Sequence, residues 1–297
     1  MKIESAQRHS RLGQMLLAAV LWGTTGVAVR ALYGLTQTNA ISIGFFRLAF
    51  SAPILLLACW ATLGRQMFRV RRADLAVMLL IGGLLAAYQV CYFGAIAQLG
   101  VAAATLITLC TAPVWVALLA ALLLQERLTR SVLLAGSLAI LGTGLLTNLQ
   151  ASPMPQGNPL LGALLALLSA VGYASVVLCS RRLGGRCHPL QSVTISMTAG
   201  ALILLPCTMA SGWVSSYSPL GWALLLYLGA VPTALAYCLY FQSMKSLSAT
   251  VASIFTLFEP LTSAALAWML FGEQLGPLGL VGALLLLSAI VLLYRAD

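Results

Sequence analysis

Few side chains in this chain of 297 residues are equipped for chemistry, and several of them stand inside long apolar runs. Glu259 is the one acid well inside such a run. A carboxylate there suits two tasks, attracting an ammonium group or other cation, or taking and releasing a proton. The competing reading is structural, with the carboxylate partnering a neighbouring helix, and the sequence leaves both open. Arg47 supplies the opposite charge. It suits a solute carboxylate, but a long guanidinium side chain also snorkels or braces helices, and the bracing role is favoured.

Rings and amides come next. Tyr88 and Tyr92 share a helical face with Gln89 beside them, and Tyr237, Tyr240, Phe241 and Gln242 repeat the theme. Such groups suit stacking on a solute and an amide hydrogen bond, although ordinary packing between helices accounts for them equally well. Trp22 and Trp115 lie deep enough to join a cavity. Trp60, Trp213, Trp222 and Trp268 fall near expected interfaces and read as an aromatic belt. Thr105, Thr108 and Thr111 precede Pro113, as Thr250, Ser253 and Thr256 precede Pro260. These hydroxyls are candidate solute contacts, but in membrane helices they more often bond a carbonyl of their own helix. Pro113, Pro232 and Pro260 each remove a helical hydrogen bond, so kinks are expected there, whether hinged or static.

Metal and cofactor chemistry find no support. His9 and His188 stand in basic stretches far from other ligand-type residues, and the seven cysteines include no Cys-x-x-Cys pair. No Gly-x-x-x-x-Gly-Lys-[Ser/Thr] loop is present, so ATP hydrolysis by this chain is not expected. A lipid-modifying enzyme would need His, Asp or Glu clustered at one interface, and the six acids are scattered.

The elements that position these residues follow from composition. At 61% hydrophobic and 7% charged, with a mean hydropathy of +1.00, the chain reads as an integral membrane protein. Apolar segments recur at about 12 to 31, 39 to 61, 74 to 98, 100 to 124, 130 to 148, 159 to 180, 189 to 210, 219 to 244, 248 to 271 and 276 to 294. Each approaches the ~20 residues needed to cross a bilayer. Hydrocarbon cannot satisfy unpaired backbone groups, and barrel-like alternation is missing, so the fold class is an all-α bundle of ten transmembrane helices.

A net charge of +10 would suggest nucleic acid in a soluble protein, but the loop charges, Arg30 at an outer helix end apart, fall in alternate connections. Lys2, Arg8 and Arg11 precede the first segment; Arg65, Arg69, Arg71 and Arg72 follow the second; Arg127 and Arg130 follow the fourth. Arg181, Arg182 and Arg186, then Lys245, then Arg295 continue the alternation. The positive-inside rule therefore places both termini in the cytoplasm, with membrane lipid and no nucleic acid as partner. The basic N-terminus and its apolar run imitate a signal peptide. That reading is set aside because Leu17, Ala18 and Trp22-Gly23 have counterparts in Leu168, Ser169 and Tyr173-Ala174.

The counterparts belong to a duplication. Pro113 and Glu126 are followed 147 positions later by Pro260 and Glu273, and Gly82 and Cys91 by Gly229 and Cys238. Residues 1–148 form the first five-helix repeat, 149–158 an outer linker and 159–297 the second repeat. Five is odd, so the copies are inverted, an arrangement characteristic of secondary transporters. Glu126 and Glu273, repeated at helix ends, read as a structural device tying each end to the next connection.

The ten segments, Trp22-Gly23, Arg47 and the repeated Pro-x12-Glu resemble the EamA-type branch of the drug/metabolite transporter superfamily over nearly the whole chain, most of all the YddG-type exporters. The resemblance implies an exporter of aromatic and other amino acids, or of cationic toxic compounds, working through a central cavity without a cofactor. Gly172-Tyr173-Ala174 stands where a Trp is common in that family, and Thr198 stands opposite Arg47. The expected function is secondary transport of small metabolites from the inner membrane by alternating access. A passive channel or facilitator, or a multidrug exporter without amino-acid preference, stays open as an alternative. Oligomeric state is not legible, and a monomer is compatible with the sequence.

Overall fold

The computed structural model describes residues 2–124, 130, 134–138, 141–142, 145, 157–183, 186–210, 212, 214–243, 258–274 and 276–296. The described elements are α1 (Lys2–Leu35), α2 (Ala40–Leu63), a 3-10 turn (Gly64–Phe68), α3 (Arg72–Leu99), α4 (Val101–Leu124), α5 (Pro159–Arg181) and α6 (Pro189–Ala210). Then come α7 (Pro219–Gly229), a π turn (Ala230–Leu235), α8 (Ala236–Ser243), α9 (Phe258–Phe271) and α10 (Pro277–Ala296). Among the described residues, seven helical stretches are long and apolar enough to cross a membrane, and Leu261–Phe271 and Pro277–Ala289 are shorter apolar helices. The protein is thus an all-helical, multi-span membrane protein. Most of the segment expected at 130 to 148 and the start of that at 248 to 271, with Glu126, Thr250, Ser253 and Thr256, lie outside the described residues.

Local sequence sets the helix starts. Asn39 accepts from the Ser42 N–H at 2.8 Å, Asn158 from Leu161 at 3.1 Å, and Ser218 from Gly221 at 3.1 Å. Proline opens both α5 and α7, where its missing N–H costs nothing. The stretch from 219 to 244, expected as one segment kinked at Pro232, runs through the π turn at Ala230–Leu235. Proline cannot donate, and the extra residue in the wider turn takes up the misfit.

Two compact units form. The first joins residues 1–83 to 183–263 and the second joins 84–182 to 264–297. In the first, α2 packs along α6 and α1 along α8. Their hydroxyls are absorbed by backbone: Thr194 donates to Leu190 O at 2.7 Å and Ser196 to Met78 O at 2.9 Å. Phe46, Tyr217 and Trp222 form a ring cluster, with Phe46 and Trp222 centroids 5.0 Å apart at 84°. Trp222 therefore packs against protein rings and not solely as the belt residue expected, whereas Trp60 and Trp268 are exposed.

In the second unit α4 packs on both α5 and α10. Its start is held from far along the chain: Val101 and Ala102 N–H groups donate to the two Glu273 carboxylate oxygens at 3.1 and 3.0 Å. A carboxylate at a helix N-terminus satisfies orphan donors and meets the positive end of the dipole. Gly100 makes this approach possible, with a φ of +81° and a position at which a Cβ would come 2.8 Å from Glu273 Oε1. Glu273 is scaffold, as its repetition suggested, but its partner is the start of α4 and not the connection that follows α9.

Candidate functional site

The first unit gathers the densest set of candidates. Trp22 on α1 lies 5.3 Å, centroid to centroid, from both Tyr237 and Tyr240 on α8, at interplanar angles of 63° and 49°. The i, i+3 spacing puts both phenols on the face that meets α1. The Trp22 indole N–H is buried and has no hydrogen-bond partner among the described residues. A buried donor left unpaired costs about 1–3 kcal/mol. One residue on, Gly23 lets α1 lie against α9: a Cβ there would come 2.8 Å from the Glu259 carbonyl and 2.7 Å from Thr262 Cβ. One turn of α1 thus presents a donor unpaired among the described residues and a backbone-close approach to Glu259.

Arg47 enters the same unit from α2. It is 7% exposed, and its Nε donates to Thr233 Oγ1 at 2.8 Å, while that hydroxyl donates to Leu228 O at 2.7 Å. Thr233 thereby occupies a carbonyl in the region that the π turn disturbs, and passes the anchoring on to the guanidinium. The Arg47 charge also acts on Glu259, which is half-buried. Arg47 is accordingly braced within the protein. Thr198, its counterpart by register, spends its hydroxyl on Thr194 O at 2.8 Å.

The second unit holds a different set. Tyr92 OH and Thr105 Oγ1 lie 2.7 Å apart, Thr108 donates to Ala166 O of α5 at 3.2 Å, and Thr111 to Ile107 O at 2.7 Å. Tyr88 meets Tyr173 edge-on, with centroids 5.9 Å apart. Gln89 is buried, and Trp115 is half-buried on α4. Pro232 lies within the π turn. The side chains of Pro113, Gln242 and Pro260 lie outside the described residues.

Sequence reasoning therefore found Trp22, Tyr237 and Tyr240 separately, and the fold brings them together. It missed Thr233, the meeting of Tyr173 with Tyr88, and the Thr24–Tyr227 hydroxyl pair at 2.8 Å. For Thr233 a signal was present: a hydroxyl directly after a proline in an apolar run is well placed to satisfy a freed carbonyl. No group of three or more His, Cys, Asp or Glu side chains that could hold a metal occurs among the described residues.

Helical spans that cost so much to furnish with charge and paired hydroxyls define a membrane protein that handles solutes. The EamA-like transporter family model matches residues 12–148 and 160–295, and the chain belongs to that family, a family of transporters and not of enzymes. It is 29% identical to the pseudopaline exporter CntI of Pseudomonas aeruginosa, over 94% of this chain and 95% of that protein. It is 26% identical to a probable terminal-alkyne amino-acid exporter of Streptantibioticus cattleyicolor, over 95% of this chain and 92% of that protein. A solved crystal structure shares the fold at a TM-score of 0.63 and 18% identity, covering 97% of this chain and 98% of its own.

Proposed function

We propose that this transporter exports small amino-acid-like metabolites by alternating access, as a secondary carrier of ten spans in two inverted five-helix repeats with both termini in the cytoplasm. The observation that carries the reading is the unpaired Trp22 indole N–H set among Tyr237 and Tyr240. A donor left without an acceptor inside an apolar protein is suited to a transient one, such as a solute carboxylate, and the three rings suit its apolar side chain. Glu259 then meets the solute ammonium group or relays a proton, with Arg47 as its standing counter-charge. Tyr88, Gln89, Tyr92, Thr105, Thr108, Trp115 and Gln242 are the further proposed contacts. The terminal-alkyne amino-acid exporter among the relatives supports the substrate class, and CntI supports export.

The test is counterflow in proteoliposomes across a panel of labelled amino acids and N-substituted derivatives. Trans-stimulated, saturable exchange is expected for some members. Flux that neither saturates nor responds to solute on the far side would assign a channel, and no flux for any member would overturn the substrate class.

A further inference from the structure

From the end of α2 to the first residue of α3 the first unit carries Arg65, Arg69, Arg71 and Arg72, with Asp74 the one acid from Trp60 to Leu75. All four arginines are exposed, and their side chains form no hydrogen bond or ion pair among the described residues. Asp74 does not neutralise them, because it is 2% exposed and already held by Arg186, Nη2 to Oδ1 at 2.9 Å. Beside the arginines stand two exposed rings, Phe68 at 71% and Trp60 at 49%, with centroids 6.0 Å apart. The backbone that carries this set is fixed. Met67 is buried, its carbonyl accepts from Gln191 Nε2 at 2.8 Å, and the Arg69 N–H closes onto Gln66 O at 3.0 Å. A connection that only obeyed a charge bias would need neither the anchored turn nor the exposed ring pair.

We infer that this turn is a binding site for an anionic phospholipid, with the four arginines on the headgroup phosphate and Trp60 and Phe68 at the acyl boundary. A guanidinium fork matches phosphate oxygens two at a time, and aromatic rings settle at the level where headgroup meets chain. Near a membrane surface each basic residue strengthens attraction to anionic lipid by about fivefold. The turn follows α2 directly, so headgroup depth and arginine depth coincide.

The experiment titrates the full chain, delipidated in neutral detergent, with phosphatidylglycerol or phosphatidylcholine and counts bound lipids by native mass spectrometry. Phosphatidylglycerol is expected to bind tighter by about tenfold or more, and glycerol phosphate, the headgroup without tails, is expected not to displace it. Arg69→Gln with Arg71→Gln is expected to weaken phosphatidylglycerol by about 25-fold and leave phosphatidylcholine unchanged. Equal binding of the two lipids to the unaltered protein, or undiminished phosphatidylglycerol in a folded double variant, would overturn the site. Displacement by glycerol phosphate would reassign it to soluble anions. The two comparisons on the unaltered protein decide the matter even where the variant does not fold.

Discussion

Glu273 and Glu259 are carboxylates of the same chemistry in the two compact units, and they are answered in different ways. In the second unit both Glu273 oxygens accept backbone N–H groups at the start of α4, and the Tyr92, Thr105, Thr108 and Thr111 hydroxyls find partners within the unit. In the first unit Glu259 feels the charge of Arg47, and the nearby Trp22 N–H has no hydrogen-bond partner among the described residues. Backbone donors at a helix start are fixed, so a carboxylate spent on them is committed to structure. A guanidinium on a long side chain and an unpaired indole can both exchange partners, which is what solute handling requires.

The sharpest way to break the comparison is to remove the counter-charge. Arg47→Met removes the charge that acts on Glu259 and leaves Thr233 without its charged donor, and is expected to cost about 3 kcal/mol, the upper end for a lost hydrogen bond to a charged group, in thermal or denaturant unfolding of the detergent-solubilised protein. Adding Glu259→Gln to that variant is expected to recover the part of the loss that comes from the uncompensated carboxylate, and transport is expected to be abolished in both variants. If the single variant is as stable as the parent, the charges do not depend on each other and Glu259 is scaffold like Glu273.

Glu273→Ala comes next, at about 2 kcal/mol, since it orphans two buried N–H groups. The loss is expected to be local, with hydrogen exchange at Val101 and Ala102 accelerated well before the rest of α4. Transport affinity is expected to be unchanged in whatever protein folds. A raised KM without loss of stability would make Glu273 a solute contact and erase the contrast.

These two residues also show how much was legible beforehand. Helical class followed from hydropathy, because an apolar run in hydrocarbon has no alternative to internal hydrogen bonds. Glu273 was recognisable as scaffold from its repetition with Glu126. Its partner was not, because Val101 lies far away in sequence and the carboxylate is admitted by a glycine whose φ cannot be read from composition. Trp22, Tyr237 and Tyr240 were each visible as rings in apolar runs, but only packing of α1 on α8 makes them a group. The bond from Arg47 to Thr233 fits the bracing role, yet its site, a π turn around Pro232, depends on a misfit that helical periodicity does not register.

Trp22→Phe separates binding from stability more finely. The smaller ring leaves a cavity, but the buried N–H that paid no return disappears with it, so stability is expected to stay within about 0.5 kcal/mol. The KM of a transported solute is expected to rise by about tenfold with kcat little changed, the signature of a lost ground-state hydrogen bond. Unchanged KM would show that the indole donor meets no solute, and the case for the first unit would then rest on Glu259 alone.

The smallest effect concerns the third acid, Asp74, which meets an exposed cation at the edge of the first unit. The neighbouring Cys187 thiol is pushed above its ordinary range, first by burial and then by the Asp74 charge, with Arg186 opposing. Maleimides react with the thiolate, so raising the thiol pKa slows labelling at neutral pH. Asp74→Asn removes a negative charge, lowers the thiol pKa and is expected to speed labelling of Cys187, as the sole remaining cysteine, by about twofold. The gain is expected to shrink as pH rises through the thiol pKa, where thiolate is already abundant. A rate that is unchanged at pH 7 would mean that solvent screens this pair, and that Glu259, the acid well inside an apolar run, is the better placed to govern its surroundings.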